Sequence, residues 1–507
     1  MRRIMTKKQV YSFIPAMLLA LFLSGCVHST LPLTKISAPM PQSPVTLSTV
    51  KALFGGYSDG NFSGRSWEAA FDAMHQKLSR EYAFTEWKGV DWDALYDRFK
   101  TRLDEASANN DAEAYYLTLR EYIYSIPDGS LSITTPQEYK ESHIGGGYGF
   151  SLLPLEDGRV VIAWLDPESQ AAVTGIQWGA EILEWNGLPI NEALKQQPVL
   201  WNDVPVATLE NEKFVQCALL TRASVGTPAE FMFRNPGAGD LWITRLEARR
   251  DFMQGLKNLS DQGKSFTEFE SPLESRILDG NIGYIRIYCH AATLAMPFPV
   301  RAFRKSMEKF VQARVTGLIM DLRGNPGGLD ELAAAYAGHF TQTPLSFRKV
   351  VSFDSGKGGF ALNESLNLYV EPRSPCFSAP VCVLINRNTR EGGEALAAAL
   401  RKMPKVQLVG STATEGSYGL MDGTITMPGG HVIHYPRGRM LEEDGSVLVT
   451  AGTNRVSPVA PDVTVPYTME KCESLFRKEE DPVLKQAIAI LSAGEADRIA
   501  IACFRTG

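Results

Sequence analysis

Asn386-Arg387-Asn388-Thr389-Arg390-Glu391-Gly392-Gly393-Glu394-Ala395-Leu396 is the stretch on which the reading of this chain turns. An apolar strand, Val381 to Ile385, leads into it, and a helix rich in Ala and Leu leaves it, so Glu391 stands at a strand-to-helix turn. Turns of this kind hold a side chain out toward a reacting group. A second stretch lies upstream: Gly317-Leu318-Ile319-Met320-Asp321-Leu322-Arg323-Gly324-Asn325-Pro326-Gly327-Gly328. There a buried strand runs into a glycine-rich loop and then an Ala-rich helix, and glycines allow backbone N–H groups to converge on an anion.

Together the two stretches resemble the tail-specific, or C-terminal processing, serine peptidases and the related tricorn-core peptidases, over most of the mature chain. That family writes its elbow N-x-x-T-x-S-A-x-E. Asn386, Thr389 and Glu394 match it without a gap, whereas Glu391 replaces the nucleophilic serine and Gly392 the alanine. The resemblance implies an oxyanion hole made by the N–H of Gly327 or Gly328 together with that of Gly392. It also implies a general base, which the family supplies in two ways. The lysine version falls on Gly416 within Leu408-Val409-Gly410-Ser411-Thr412-Ala413-Thr414-Glu415-Gly416-Ser417. The histidine version falls on Ser130 within Ile126-Pro127-Asp128-Gly129-Ser130-Leu131-Ser132, and its supporting acid is missing from Asn454-Arg455-Val456 ahead of Pro461-Asp462. Nucleophile and base are therefore both expected to be substituted.

The N-terminus gives an address. Arg2, Arg3, Lys7 and Lys8 precede an apolar run from Phe13 to Phe22 that is too short to span a bilayer comfortably, and Leu23-Ser24-Gly25-Cys26 follows. This looks like a bacterial lipoprotein signal over residues 1–25, with lipid on Cys26 and a tether over 26–50 broken by Pro32, Pro39, Pro41 and Pro44. Val27, in place of aspartate, favours the outer membrane, so the expected location is periplasmic and lipid-anchored. The length of 507 residues allows two or three domains, and a net charge of −6 argues against nucleic acid. Six cysteines follow Cys26, and in an oxidising compartment Cys472 and Cys503 could tie the last helix down, although pairing is not readable from sequence. His431 and His434, three apart in an expected strand, point to opposite faces, so no metal and no cofactor is expected.

The expected fold is α/β in three parts. Residues 51–140 form an N-terminal helical domain, in which Trp67, Phe71, Met74, Leu78 and Tyr82 recur at helical spacing, followed by similar stripes from Trp92 and Tyr116. Residues 141–250 are β-rich and resemble a PDZ domain through Gly147-Tyr148-Gly149-Phe150 and a later Asn186-Gly187 turn, with an insertion over 190–225 of unassigned structure. In PDZ domains a peptide adds as a strand while that loop holds its terminal carboxylate, which makes Gly147, Tyr148, Gly149 and Phe150 the expected peptide-binding residues. Residues 251–470 alternate strand and helix as a layered peptidase-type core completed by polar strands near 423–434, and 471–507 close with a helix.

Three functions compete. The expected one is a protein that binds polypeptide C-termini or unfolded proteins at a membrane and has lost hydrolysis. The second is a serine-type peptidase recruiting Thr389, Ser411 or Ser417. The third is a carboxylate enzyme using Glu391 with Glu394 or Glu415. The first leads because loss of a nucleophile or base costs a serine protease on the order of 10⁶ in turnover, and here both positions are changed. The carboxylate of Glu391 is expected to sit among the donors of Gly327, Gly328 and Gly392, with its pKa lowered by them.

Overall fold

Ser66, Asp91 and Asp111 each accept a hydrogen bond from the backbone N–H three residues on, and so start helices α1 (Trp67–Glu81), α2 (Trp92–Ala108) and α3 (Ala112–Tyr124). The computed structural model describes residues 60–258 and 269–493; the expected signal segment, the tether, Cys26 and Cys503 lie outside the described residues. Phe71, Met74 and Leu78 of α1 are fully buried against Phe99 and Leu103 of α2 and Leu119 and Ile123 of α3. Each such side chain contributes about 1.5–3 kcal/mol of burial. A short strand β1 (Ser132–Ile133) follows.

The β-rich part contains β2 (Gly146–Gly147), β3 (Phe150–Pro154), β4 (Val160–Leu165), β5 (Glu181–Trp185), helix α4 (Leu209–Leu220), β6 (Arg222–Ala223), β7 (Pro228–Arg234), β8 (Trp242–Glu247) and β9 (Arg249–Arg250). An antiparallel sheet runs β3-β4-β5-β7-β8, while β2 lies between β9 and β6 in a separate small sheet. In the core of the β-rich part Trp185 stacks on Phe231, and Phe150 meets both edge-on. The insertion over 190–225 proves to hold two helices, Ile190–Gln196 and α4.

The third part has β10 (Leu273–Leu278), β11 (Ile282–Ile287), α5 (Pro299–Gln312), β12 (Gly317–Asp321), α6 (Asp330–Ala337), β13 (Val381–Ile385), α7 (Gly392–Arg401), β14 (Val406–Gly410), β15 (Gly423–Thr426), β16 (Val432–Tyr435), β17 (Val463–Thr464) and α8 (Pro482–Ser492). Its sheet runs β10-β11-β12-β13-β14-β17 and is parallel except at β10. Burial on both faces explains the unbroken apolar runs. Leu318, Met320, Val381 and Val383 face the side of α5 and α7, whereas Ile319, Cys382 and Leu384 face α8.

One sequence expectation changes. The strands near 423–434 do not complete the core sheet: β15 and β16 pair with each other and β16 with β1, so that Ile425, Ile433 and Tyr435 join the core of the helical part. The β-rich part also packs on the chain's later residues, since Leu153 and Val161 share a cluster with Tyr467 and Cys472. Among the described residues Cys217, Cys289, Cys376, Cys382 and Cys472 are free thiols. Last, Asp481 caps α8 by accepting from the Leu484 N–H, and its two oxygens also accept from Arg323 at 3.0 and 2.6 Å.

Candidate functional site

Four loops meet at the carboxyl ends of the parallel strands. The loop after β12 is held to the one after β13 by backbone and side-chain bonds: Arg390 N–H to the Asn325 carbonyl at 2.8 Å, Gly324 N–H to Asn386 Oδ1 at 3.1 Å, and the Thr389 hydroxyl to the Leu322 carbonyl at 2.9 Å. The residues that match the elbow pattern are therefore its braces. Glu391 itself has φ 49° and ψ −125°, a conformation that costs a non-glycine residue on the order of 1–3 kcal/mol and persists only where neighbours enforce it. The approach is close: a Cβ built on Gly327 would lie 2.7 Å from Glu391 Cβ and 2.7 Å from the Gly392 nitrogen.

Of the two glycine alternatives, Gly327 gives its N–H to Asn325 Oδ1 at 2.8 Å. The N–H groups of Gly328 and Gly392 are committed to no hydrogen bond among the described residues. Behind them His290 pairs with the loop through its backbone, donating to the Gly327 carbonyl and accepting from the Leu329 N–H. Its ring is buried, which lowers its pKa to about 3, and Nδ1 has no hydrogen-bond partner. Gly392 leaves room here, because a Cβ on it would lie 2.7 Å from Asp330 Oδ1 and 3.2 Å from His290 Nδ1. Asp330 is fixed by Arg348 and by the Tyr418 hydroxyl at 2.8 Å.

The Glu391 carboxyl points elsewhere than expected. Ser130 Oγ donates to Glu391 Oε1 at 3.3 Å, so residues 261 positions apart in sequence meet. Ser130 is 2% exposed and Glu391 partly exposed. The expected lowering of its pKa is reversed. Burial, followed by the charges of Glu394, Asp128 and Glu415, pushes Glu391 well above the carboxylate range, and the bond from Ser130 opposes this only in part. Glu394 accepts from the N–H groups of Glu391 (3.1 Å), Gly416 (2.6 Å) and Ser417 (3.3 Å), which favour its charged form. Burial and the charge of Glu415 nonetheless raise it to about 8, and Glu415, buried beside it, is raised as well.

The loop bearing Ser130 is tied in by the helical part. Asp128 accepts from the Ser130 N–H at 3.0 Å and from the Tyr82 hydroxyl at 2.6 Å, while Lys88 donates to the Pro127 carbonyl at 2.7 Å. Gly129 N–H donates to Ser417 Oγ at 2.8 Å, and any Cβ on Gly129 would meet the Glu415 carboxylate at 2.2 Å. The hydroxyls considered as replacement nucleophiles are engaged or distant. Thr389 braces the elbow, Ser417 receives Gly129, and Ser411 lines a pocket with Arg323, Lys471 and Tyr467. Asp128, His290, Asp330 and Tyr418 went unremarked as site residues in the sequence; of these only Asp128 carried a signal, in the Asp-Gly-Ser segment. The His431 ring lies tilted against Tyr116 with centroids 4.9 Å apart, and His434 Nδ1 lies 3.4 Å from Thr424 Oγ1, so both pack away from these loops.

A strand-to-helix elbow, a glycine loop with uncommitted N–H groups and a covering helical layer define an α/β fold whose loops meet at the carboxyl ends of its parallel strands. Residues 281–465 match peptidase family S41, and residues 63–114 match the tricorn protease C1 domain. Residues 281–465 are thus similar to peptidase family S41, and the curated relatives that this chain matches carry the names of C-terminal processing proteases. The carboxy-terminal processing protease CtpA of Bacillus subtilis is 29% identical over 171 residues, 33% of this chain and 32% of that protein. Carboxyl-terminal-processing peptidase 1, chloroplastic, of Arabidopsis thaliana is 20% identical over 385 residues, 71% of this chain and 65% of that one. The chain therefore spans about a third to two thirds of the length of these curated relatives. The crystal structure of mature CPAF shares the fold with a TM-score of 0.61 at 16% identity, covering 84% of this chain and 97% of that one.

Proposed function

We propose that this chain is a lipid-anchored periplasmic protein that binds polypeptide C-termini on a tail-specific peptidase scaffold and has lost hydrolysis. The observation that carries the reading is the contact between Ser130 and Glu391. The family likeness puts an imidazole at position 130 and a small hydroxymethyl at 391. Here the small hydroxyl stands at 130 and the long side chain at 391, so the acid spans the space an imidazole would fill. A carboxyl that burial and neighbouring acids push away from its charged form is a poor proton acceptor for the hydroxyl it faces, so the pair contains no activated nucleophile. Gly328 and Gly392 keep N–H groups free to grip a ligand carbonyl or carboxylate.

The PDZ-like likeness around Gly147-Tyr148-Gly149-Phe150 supports peptide C-termini as ligands, and the Leu23-Ser24-Gly25-Cys26 segment supports the lipid anchor. The test is a soluble form beginning after Cys26, incubated with an unfolded polypeptide and, separately, with a fluorophosphonate probe. No new amino termini and no labelled protein are expected. Turnover that Ser130→Ala or Ser417→Ala abolishes would overturn the reading in favour of a serine-type peptidase with a displaced nucleophile.

A further inference from the structure

We propose that the peptide pocket of the β-rich part is built around Arg222 and that residues 251–255 of the same chain fill it as an imitation of a peptide C-terminus. This rests on the reading above, that the β-rich part takes peptide C-termini, and adds which residue receives the carboxylate and what must leave first. The Arg222 side chain is 1% exposed. Its guanidinium donates to both oxygens of Asp251, at 2.6 and 2.7 Å, and to the Ile144 carbonyl at 3.0 Å. A two-pronged guanidinium–carboxylate pair is the strongest geometry available for recognising a carboxylate. It lies against the glycine loop: a Cβ on Gly147 would meet Arg222 Nη1 at 2.4 Å and Asp251 Oδ2 at 2.8 Å. Glycine at 147 is what admits the pair.

The residues after Asp251 reach both walls of the expected groove. Met253 packs with Ile144, Val206, Val215 and Leu219, the last two on α4, while the Gly255 carbonyl accepts from Ser151 Oγ of β3 at 2.8 Å. A carboxylate on the arginine and an apolar side chain on the helix are the two chemical features of a peptide ending in an apolar residue. The segment is also held under strain. Phe252 and Met253 are consecutive non-glycine residues at φ 53° and 61°, and the Phe252 ring is 77% exposed. A relaxed connection has no reason to keep two such residues or to put phenylalanine in water. An incoming C-terminus offers the same carboxylate and apolar group, so it displaces Asp251 and Met253.

The probe is a fluorescein-labelled decapeptide ending in Ala-Leu-Val, as free acid and as C-terminal amide, titrated against the soluble protein. Asp251→Asn is expected to bind the acid at least tenfold more tightly than the parent and the amide no more tightly. Hydrogen exchange over residues 251–256 of the parent is expected to rise when the acid peptide saturates it. If the parent prefers acid to amide, yet Asp251→Asn gains nothing and exchange is unchanged, self-occupancy is wrong while C-terminus binding survives. If neither parent nor variant distinguishes acid from amide, the functional reading fails and takes this proposal with it. Should Asp251→Asn not fold, Met253→Ala, which leaves the ion pair intact, has to show the gain instead; no gain there overturns the proposal.

Discussion

Between Ser130 and Glu391 the volume available is shared, so what one side chain gives up the other can take. Glu391→Ser empties part of it, and Ser130→His drives a ring into the carboxyl. Each is expected to cost about 1–3 kcal/mol. Made together they should cost at least about 1 kcal/mol less than the sum, as residues sharing one space do. Urea unfolding of the four proteins measures this, and simple additivity would mean the positions do not share space. The acids make a second prediction. A carboxyl whose folded pKa stands above its ordinary 4.5 stabilises fully below that value and loses the contribution as pH rises toward the folded pKa, about 8 for Glu394. Stability should therefore fall from pH 5 to pH 8, by about 1.4 kcal/mol per pH unit for each acid that keeps its proton, with Glu394 and Glu415 titrating as a pair. Glu391→Gln should flatten that slope in thermal melts across the range. At this scale the sequence placed Glu391 at a turn but not what it faces. Its expected low pKa assumed donors from the glycine loops, whereas burial first and then the charges of three acids raise it, against the bond from a partner 261 positions away.

The element most legible beforehand was β13, because a strand buried on both faces must be apolar throughout and Val381 to Ile385 is bounded by Pro380 and Asn386. The element least legible was β16. It alternates Val432, Ile433, His434 and Tyr435, and nothing in that pattern says its neighbour is β1, 300 residues earlier, rather than the core sheet. Pairing partners are set by tertiary packing rather than by local pattern. The start of α7 also carries a prediction. Gly392→Ala restores the family residue, yet its Cβ would press on Asp330, which Arg348 and Tyr418 hold in place. A loss of about 1–3 kcal/mol is expected, read as a lowered urea midpoint with unchanged slope. A neutral or stabilising result would show that Asp330 can move.

For the molecule as a whole, address and anchorage make the clearest test. Cys26→Ser is expected to block lipid attachment and the cleavage before residue 26, so that radiolabelled palmitate is no longer incorporated. A variant that is processed and membrane-bound as before would contradict the lipoprotein assignment. A different consequence follows from the salt link between Arg323 and Asp481. Arg323 opens the glycine loop and is held both by Asp321, two residues before it, and by Asp481, 158 positions later, which caps the last described helix. During synthesis the sheet strands through β14 emerge long before that brace exists. A truncated chain ending ahead of Asp481 would thus display the glycine loop without one of its braces, leaving Asp321 and the loop after β13 to hold it. Trypsin should cut such a chain after Arg323 at concentrations that leave the protein carrying Asp481 intact, so the glycine loop becomes fully braced only after the segment around Asp481 has been made.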